Sequence, residues 1–278
     1  MKVPSDLDAL LIARPIVLWV EDWLTKEYLA RIWQPQDALF QILVAGGHDS
    51  VRAVVRNLRM HEEYKRIFGF QDRDFGRSNR SNWSPQTNIE VYVGSRLEIE
   101  NYLLDWAALA GCTINQRFQR TVEQIRQRAE SYAGNMVWWM ACRQVIAGYH
   151  ERLFADFPDH PSMGHVNSQA EAERYIREQS WFQSFSAHSQ HILDPGTLAA
   201  DLGSAHANQE ACHRTGNWIE EFSGKEVFHR LRGYLVNEED GEMDVNLAKS
   251  IADWQVQNSA VPQELLDLRD ALRQRVGI

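Results

Sequence analysis

Residues 67–74 read Ile67-Phe68-Gly69-Phe70-Gln71-Asp72-Arg73-Asp74, an apolar run that stops at two acids flanking an arginine. In extended backbone, residues two apart share a side, so the Asp72 and Asp74 carboxylates converge and Arg73 points away. Further out, the earlier run Ile16-Val17-Leu18-Trp19-Val20 also ends in an acid, Glu21. Two strands that each finish in a carboxylate make an oxygen-rich pocket at one edge of a sheet, the edge where open α/β sheets bind ligands. Hard oxygen donors suit a hard divalent cation, so Mg2+ is the expected cofactor, with Mn2+ as the alternative.

The flanking sequence supplies the rest of that sheet. Apolar runs at 16–20, 39–45, 66–72 and 88–93 read as strands, and periodic stretches at 24–33, 49–59 and 98–110 read as helices. Strand-helix alternation predicts an α/β fold with a mostly parallel sheet flanked by helices. The second strand ends in Ala45-Gly46-Gly47, followed by His48-Asp49-Ser50 and a helix. Glycines at such a turn permit tight geometry and close approach of a ligand. From about residue 114 strand signals fade. Helical patterns cover 114–154, 168–183, 196–212, 216–222, 225–235, 244–257 and 262–275, the last opening at Pro262 with Glu264. The expected organisation is therefore a catalytic unit over 1–112 and a mainly helical unit over 113–278 for dimerisation and docking.

Composition narrows the class. The 278 residues carry a net charge of -9, which argues against a simple basic nucleic-acid binder but allows a local basic surface. No apolar stretch is long enough to span a membrane, and the N-terminus lacks a signal-peptide pattern. Cys112, Cys142 and Cys212 form no CxxC pair, which fits a reduced, cytoplasmic setting. There is no G-x-S-x-G, and Gly224-Lys225-Glu226 lacks Walker A spacing; it reads as a turn opening a helix.

A third acidic site follows the fourth strand, in Glu98-Ile99-Glu100-Asn101-Tyr102. Either Glu98 or Glu100 completes the pocket, with Glu100 the first choice. The bland alternative is that these acids, and Asp22 before Thr25, only cap helices. The long polar loop 75–88 carries Arg77, Arg80 and Trp83 beside the acids. With Arg73, and with Arg117 and Arg120 of a basic stretch that continues to Arg126 and Arg128, it is the expected nucleic-acid surface, although a solvated helix face explains that stretch equally well. Met136, Trp138, Trp139 and Met140 read as core or as a subunit contact, including an apolar patch exposed in the monomer.

The arrangement of Glu21 after the first strand and Asp72 with Asp74 after the third resembles the Toprim domain of topoisomerases, primases, small maturation ribonucleases and the overcoming-lysogenization-defect nucleases. A glycine commonly follows the glutamate in that domain; here Asp22 stands there. Val20-Glu21-Asp22, Val44-Ala45-Gly46-Gly47, residues 68–76, Glu98-Ile99-Glu100-Asn101-Tyr102-Leu103-Leu104 and Phe222-Ser223-Gly224-Lys225-Glu226-Val227-Phe228 are similar, in that order, to the Toprim family of AriB, the effector of the PARIS anti-phage system. The resemblance implies a toxic nuclease restrained by an ATPase partner, active as a homodimer after release, that cleaves host tRNA. Against it stand DNA as the substrate, a phosphoacceptor module, and a non-catalytic subunit that gates the ATPase. A phosphoacceptor needs a lysine near its acids, and the end of the fourth strand offers Arg96 instead.

Overall fold

Alternating side chains make the sheet a two-sided core. A computed structural model describes residues 14–60, 65–73, 90–153, 164, 166–180, 182–183, 195–236 and 243–278. The strands are β1 (Ile16–Val20), β2 (Phe40–Val44), β3 (Ile67–Gln71) and β4 (Val91–Val93), close to the spans expected. On one face Ile16, Leu18, Val20, Phe40, Ile42, Phe68, Phe70 and Tyr92 pack under α1 (Trp23–Ile32). On the other, Val17 and Ile67 meet Val51, Val55 and Leu58 of α2 (His48–Arg59). Period-two alternation produces both faces from the same strands. A Cβ at Gly69 would come within 2.7 Å of the Val51 side chain, so a glycine lets α2 lie directly on β3.

All pairs are parallel, in the order β2-β1-β3-β4. Register sets Ile16 beside Phe40 and Val20 beside Val44, Trp19 beside Gly69, and Gln71 beside Val93. From β1 the chain runs first to one side of the sheet and then to the other. The carboxyl ends of β1 and β3 therefore flank the point where strand order reverses, the place open α/β sheets leave a crevice.

The helical region follows as α3 (Glu100–Leu103), α4 (Trp106–Gly111), α5 (Val122–Gly134), α6 (Val137–Leu153), α7 (Gln169–Glu178), α8 (Pro195–Thr215), α9 (Trp218–Glu221), α10 (Gly224–Leu235), α11 (Met243–Gln257) and α12 (Gln263–Arg275). Two expected helices are broken. The span 98–110 divides because Asp105 caps α4, accepting the N–H groups of Ala107 and Ala108. The span 114–154 divides because Thr121 and Gln124 form a capping box that starts α5 afresh, and again at Asn135 between α5 and α6. Capping chemistry inside a run of helical composition interrupts it.

The main core crosses residue 112. Tyr28 of α1 donates its hydroxyl to Gln255 Oε1 of α11 (2.8 Å), and Trp33 donates Nε1–H to the Leu265 carbonyl (3.0 Å). Lys249 and Glu27 pair at 2.8 Å on the same seam. A second core lies among α6, α7 and α8, around Ile146, Ile176 and Leu202. Met136, Trp139 and Met140 are buried in the main core, and Trp138 is half-buried with its ring stacked on His206. The expectation of an exposed apolar patch there is corrected: the helix faces inward on two sides. Among the described residues no helix is long and apolar enough to cross a membrane.

Candidate active site

Glu21 leaves β1 and Asp72 leaves β3, side by side where strand order reverses. The Asp72 backbone N–H donates to Glu21 Oε1 at 3.0 Å. His48 Nδ1 lies 3.3 Å from the same oxygen, at the start of α2. That position depends on the Gly46-Gly47 turn. Gly46 has φ 89° and Gly47 φ 152°, backbone that an L side chain would strain. Both contacts land on Oε1, so Oε2 is unclaimed by a protein donor among the described residues. No protein donor among them reaches the Asp72 carboxylate at all.

Glu98 and Glu100 separate in role. Glu98 accepts from the Ser223 hydroxyl (2.9 Å) and the Lys225 N–H (2.7 Å), so it seals the N-terminus of α10. Glu100 is buried in the cleft and serves no other helix in this way. Its carboxyl is pushed up to about 8, by burial first and then by Glu98 and Asp22. Asp72 is raised well above the usual carboxylate range, by burial first and then by Glu100, Glu21, Glu98 and Asp22. Burial also raises Glu98, against the pull of the Lys225 N–H, Arg143 and Ser223. Asp22 has the capping role weighed from the sequence: it accepts the Thr25 N–H at 2.8 Å.

The opposite wall is cationic. Glu21, Asp22, Asp72, Glu98 and Glu100 share a cleft of about 210 Å³ with Arg73, Arg143 and Lys225. Arg73, expected to grip nucleic acid, lines this cleft but is also committed to partners within the chain. Its guanidinium is buried against Glu221 Oε2 (2.6 Å) and the Glu220 carbonyl (3.3 Å), bracing the end of β3 against α9. Arg117 and Arg120, unlike Arg73, do not line the cleft. Arg120 stacks on Tyr234, ten residues along α10 from Gly224, about 15 Å at the helical rise. Asp74, Arg77, Arg80 and Trp83 lie outside the described residues, as do the other residues of loop 75–88.

Asn101 holds the two walls together. Fully buried, it accepts the Glu98 N–H and donates to the carbonyls of Ile219 (2.7 Å) and Phe222 (3.0 Å). A Cβ at Gly224 would approach Asn101 Oδ1 to 2.5 Å, so only glycine lets α10 start this close. Sequence reasoning missed Lys225, Arg143, His48 and Asn101. One signal pointed to Lys225: a cation in the first turn of a helix opposes the helix dipole and calls for acids nearby. Arg143 gave none, being one cation in the middle of a long helix.

Among the described residues no three acid, His or Cys side chains form a closed cation cage. Mg2+ does not require one. It keeps several waters and takes one or two carboxylates plus substrate phosphate oxygens. The free Glu21 Oε2 and the unpartnered Asp72 carboxylate match that donor set, and their mutual repulsion favours a cation between them. No protein-family model matches the chain, and no curated protein matches it.

Proposed function

We propose that this chain is a metal-dependent nuclease of the Toprim type. The observation that carries the reading is the Glu21–Asp72 pair at the strand-order reversal, facing Arg143 and Lys225 across one cleft. Glu21 and Asp72 would hold Mg2+, or Mn2+ in its place, and Glu100 stands behind them. When bound, the cation supplies charge stabilisation for an in-line displacement at phosphorus. His48 orients the Glu21 carboxylate. Lys225 and Arg143 offset the phosphate charge and set its position, since a site of carboxylates alone would repel a phosphodiester.

The AriB resemblance extends this reading to host tRNA as substrate, an ATPase partner that restrains the chain, homodimerisation on release, and action in the cytoplasm as an anti-phage toxin. Those parts are supported by the similar residues alone. The test is cleavage of labelled tRNA and of duplex DNA by the purified chain with Mg2+, with EDTA, and by Glu21→Ala. Metal-dependent cutting of tRNA that E21A lacks is expected. Cutting of DNA alone would move the substrate class, and no metal-dependent cutting of either would refute the nuclease reading in favour of a subunit that only gates the ATPase.

One observation favours a second reading. The lysine a phosphoacceptor module needs is absent from the fourth strand's end, but Lys225 reaches the cleft from α10. Labelling of Asp72 by acetyl phosphate, without cleavage of nucleic acid, would select that reading.

A further inference from the structure

The far end of α10 carries an unbroken row of alternating guanidiniums and tyrosine rings. Arg120 lies 4.6 Å from the Tyr234 ring centroid, and Arg128 lies 5.6 Å from the same ring. Arg128 is also 5.0 Å from the Tyr132 ring, and Arg230 stands 5.7 Å from it. The order is Arg120, Tyr234, Arg128, Tyr132, Arg230. Two i,i+4 pairs build it, Arg128 with Tyr132 on α5 and Arg230 with Tyr234 on α10, and one-turn spacing puts each pair on one helix face.

Charge makes this row unusual. The chain has 38 acidic against 29 basic side chains, yet none of the three arginines has a carboxylate partner among the described residues. Arg126, between them in sequence, behaves in the ordinary way and pairs with Glu123 and Glu130. Among the described residues Arg120 Nε is buried with no hydrogen-bond partner, and Arg128 Nε donates to the Tyr132 hydroxyl at 2.8 Å. Stacking on a ring face fixes the plane of a guanidinium while leaving its edge N–H groups free to bind an oxyanion. Three ring-stacked guanidiniums in a row, with no carboxylate partner among the described residues, suit the closely spaced phosphates of a polynucleotide.

We propose that the Arg120–Arg128–Arg230 row is a docking surface for the phosphodiester backbone of a nucleic acid. Its members on α10, Arg230 and Tyr234, lie about 8 and about 14 Å along the helix from the cleft-lining Lys225, so a bound strand would be gripped outside the cleft. The proposal goes beyond the nuclease reading and does not depend on it, because binding can be measured without metal and without turnover.

The experiment is fluorescence anisotropy in EDTA with a labelled RNA stem-loop and the DNA stem-loop of the same sequence, titrated across a range of salt. Wild type is compared with the R120A/R128A/R230A variant, with Arg128→Ala alone, and with Arg126→Ala. Each variant is first shown by circular dichroism to be folded; R128A, exposed and on one helix, keeps the test available if the triple variant misfolds. The triple variant should bind at least tenfold more weakly, and its slope of log K against log salt should fall by about 2–3, one phosphate contact per arginine. R128A should lose about one such contact, and R126A should match wild type. Equal losses with RNA and DNA assign the surface to the shared backbone; a loss with RNA alone assigns it to ribose-bearing strands. An unchanged slope in the folded variants overturns the proposal. So does wild-type protein that binds polyglutamate through these arginines but binds neither nucleic acid, which would make the surface a seat for an acidic protein.

Discussion

The two ends of α10 are built from opposite chemistry. At its N-terminus, Glu98 seals the first turn while Asp72 and Glu100 crowd nearby, raised above the usual carboxylate range by burial and by neighbouring acids. At its C-terminus, Arg120 and Arg128 stack against Tyr234 without acid partners among the described residues. The helix dipole favours this polarity, with anions at the positive end and cations at the negative end. Lys225 is the exception, a cation at the wrong end for the dipole. In the cleft it sets a cation among the carboxylates. One helix thus runs from an acid-rich cleft to an arginine-rich surface.

The largest effect should come from the cleft. Glu21→Ala and Asp72→Ala each remove a proposed ligand, and the loss of several kcal/mol of transition-state stabilisation should lower metal-dependent cleavage by roughly a hundredfold or more. Both variants should keep the wild-type far-ultraviolet spectrum, since removing one of several repelling carboxylates relieves the apo fold. Full cutting by either would leave the cleft without a catalytic claim.

Next in size is the junction between the walls. Asn101→Leu strands the Ile219 and Phe222 carbonyls and the Glu98 N–H in a buried place. Urea unfolding should show a loss of about 2–4 kcal/mol. A loss within error would mean that the cleft and α10 are joined by packing alone.

Acidity should then separate the two ends. Glu100 has a folded-state value near 8, above its ordinary range. The folded protein therefore binds more protons than the unfolded chain between about pH 4.5 and 8, and stability falls as pH rises through that window. Metal-free protein should lose melting temperature across it, and Glu100→Gln and added Mg2+ should each flatten the profile. A profile as steep in E100Q as in wild type would place the acid sensitivity elsewhere.

The smallest effect concerns Glu98. Because it caps α10, Glu98→Ala should cost about 1 kcal/mol of stability, with a smaller loss of cleavage than Glu100→Ala shows. Equal losses of cleavage would undo the division of labour between these two acids.

Much of the sheet was legible in the residues. β1 and β3 end where their apolar runs meet acid, and period-two burial leaves little freedom once both faces are covered. The Gly46-Gly47 turn and the Asp22 cap were readable for the same reason: each is a local chemical requirement. The helix breaks at Asp105 and Thr121 were missed because helical composition continues through them, and only the cap hydrogen bonds show the interruption. The burial of Met136, Trp139 and Met140 also depended on neighbours, since a large apolar residue reads alike in a core and on a patch.

By itself the sequence determined the strand-helix order, the strand-end acids Glu21 and Asp72, and the change to helices near residue 114, because periodicity, capping and turn chemistry act within a few residues. Only the tertiary structure decided that Arg73 braces Glu221, that Glu98 caps α10 from within the cleft it shares with Glu100, and that Arg143 and Lys225 line that cleft. The physical reason is distance along the chain. A side chain's charge and hydrogen bonds are committed by whatever packing brings beside it, and Lys225 meets Glu98 from more than a hundred residues away.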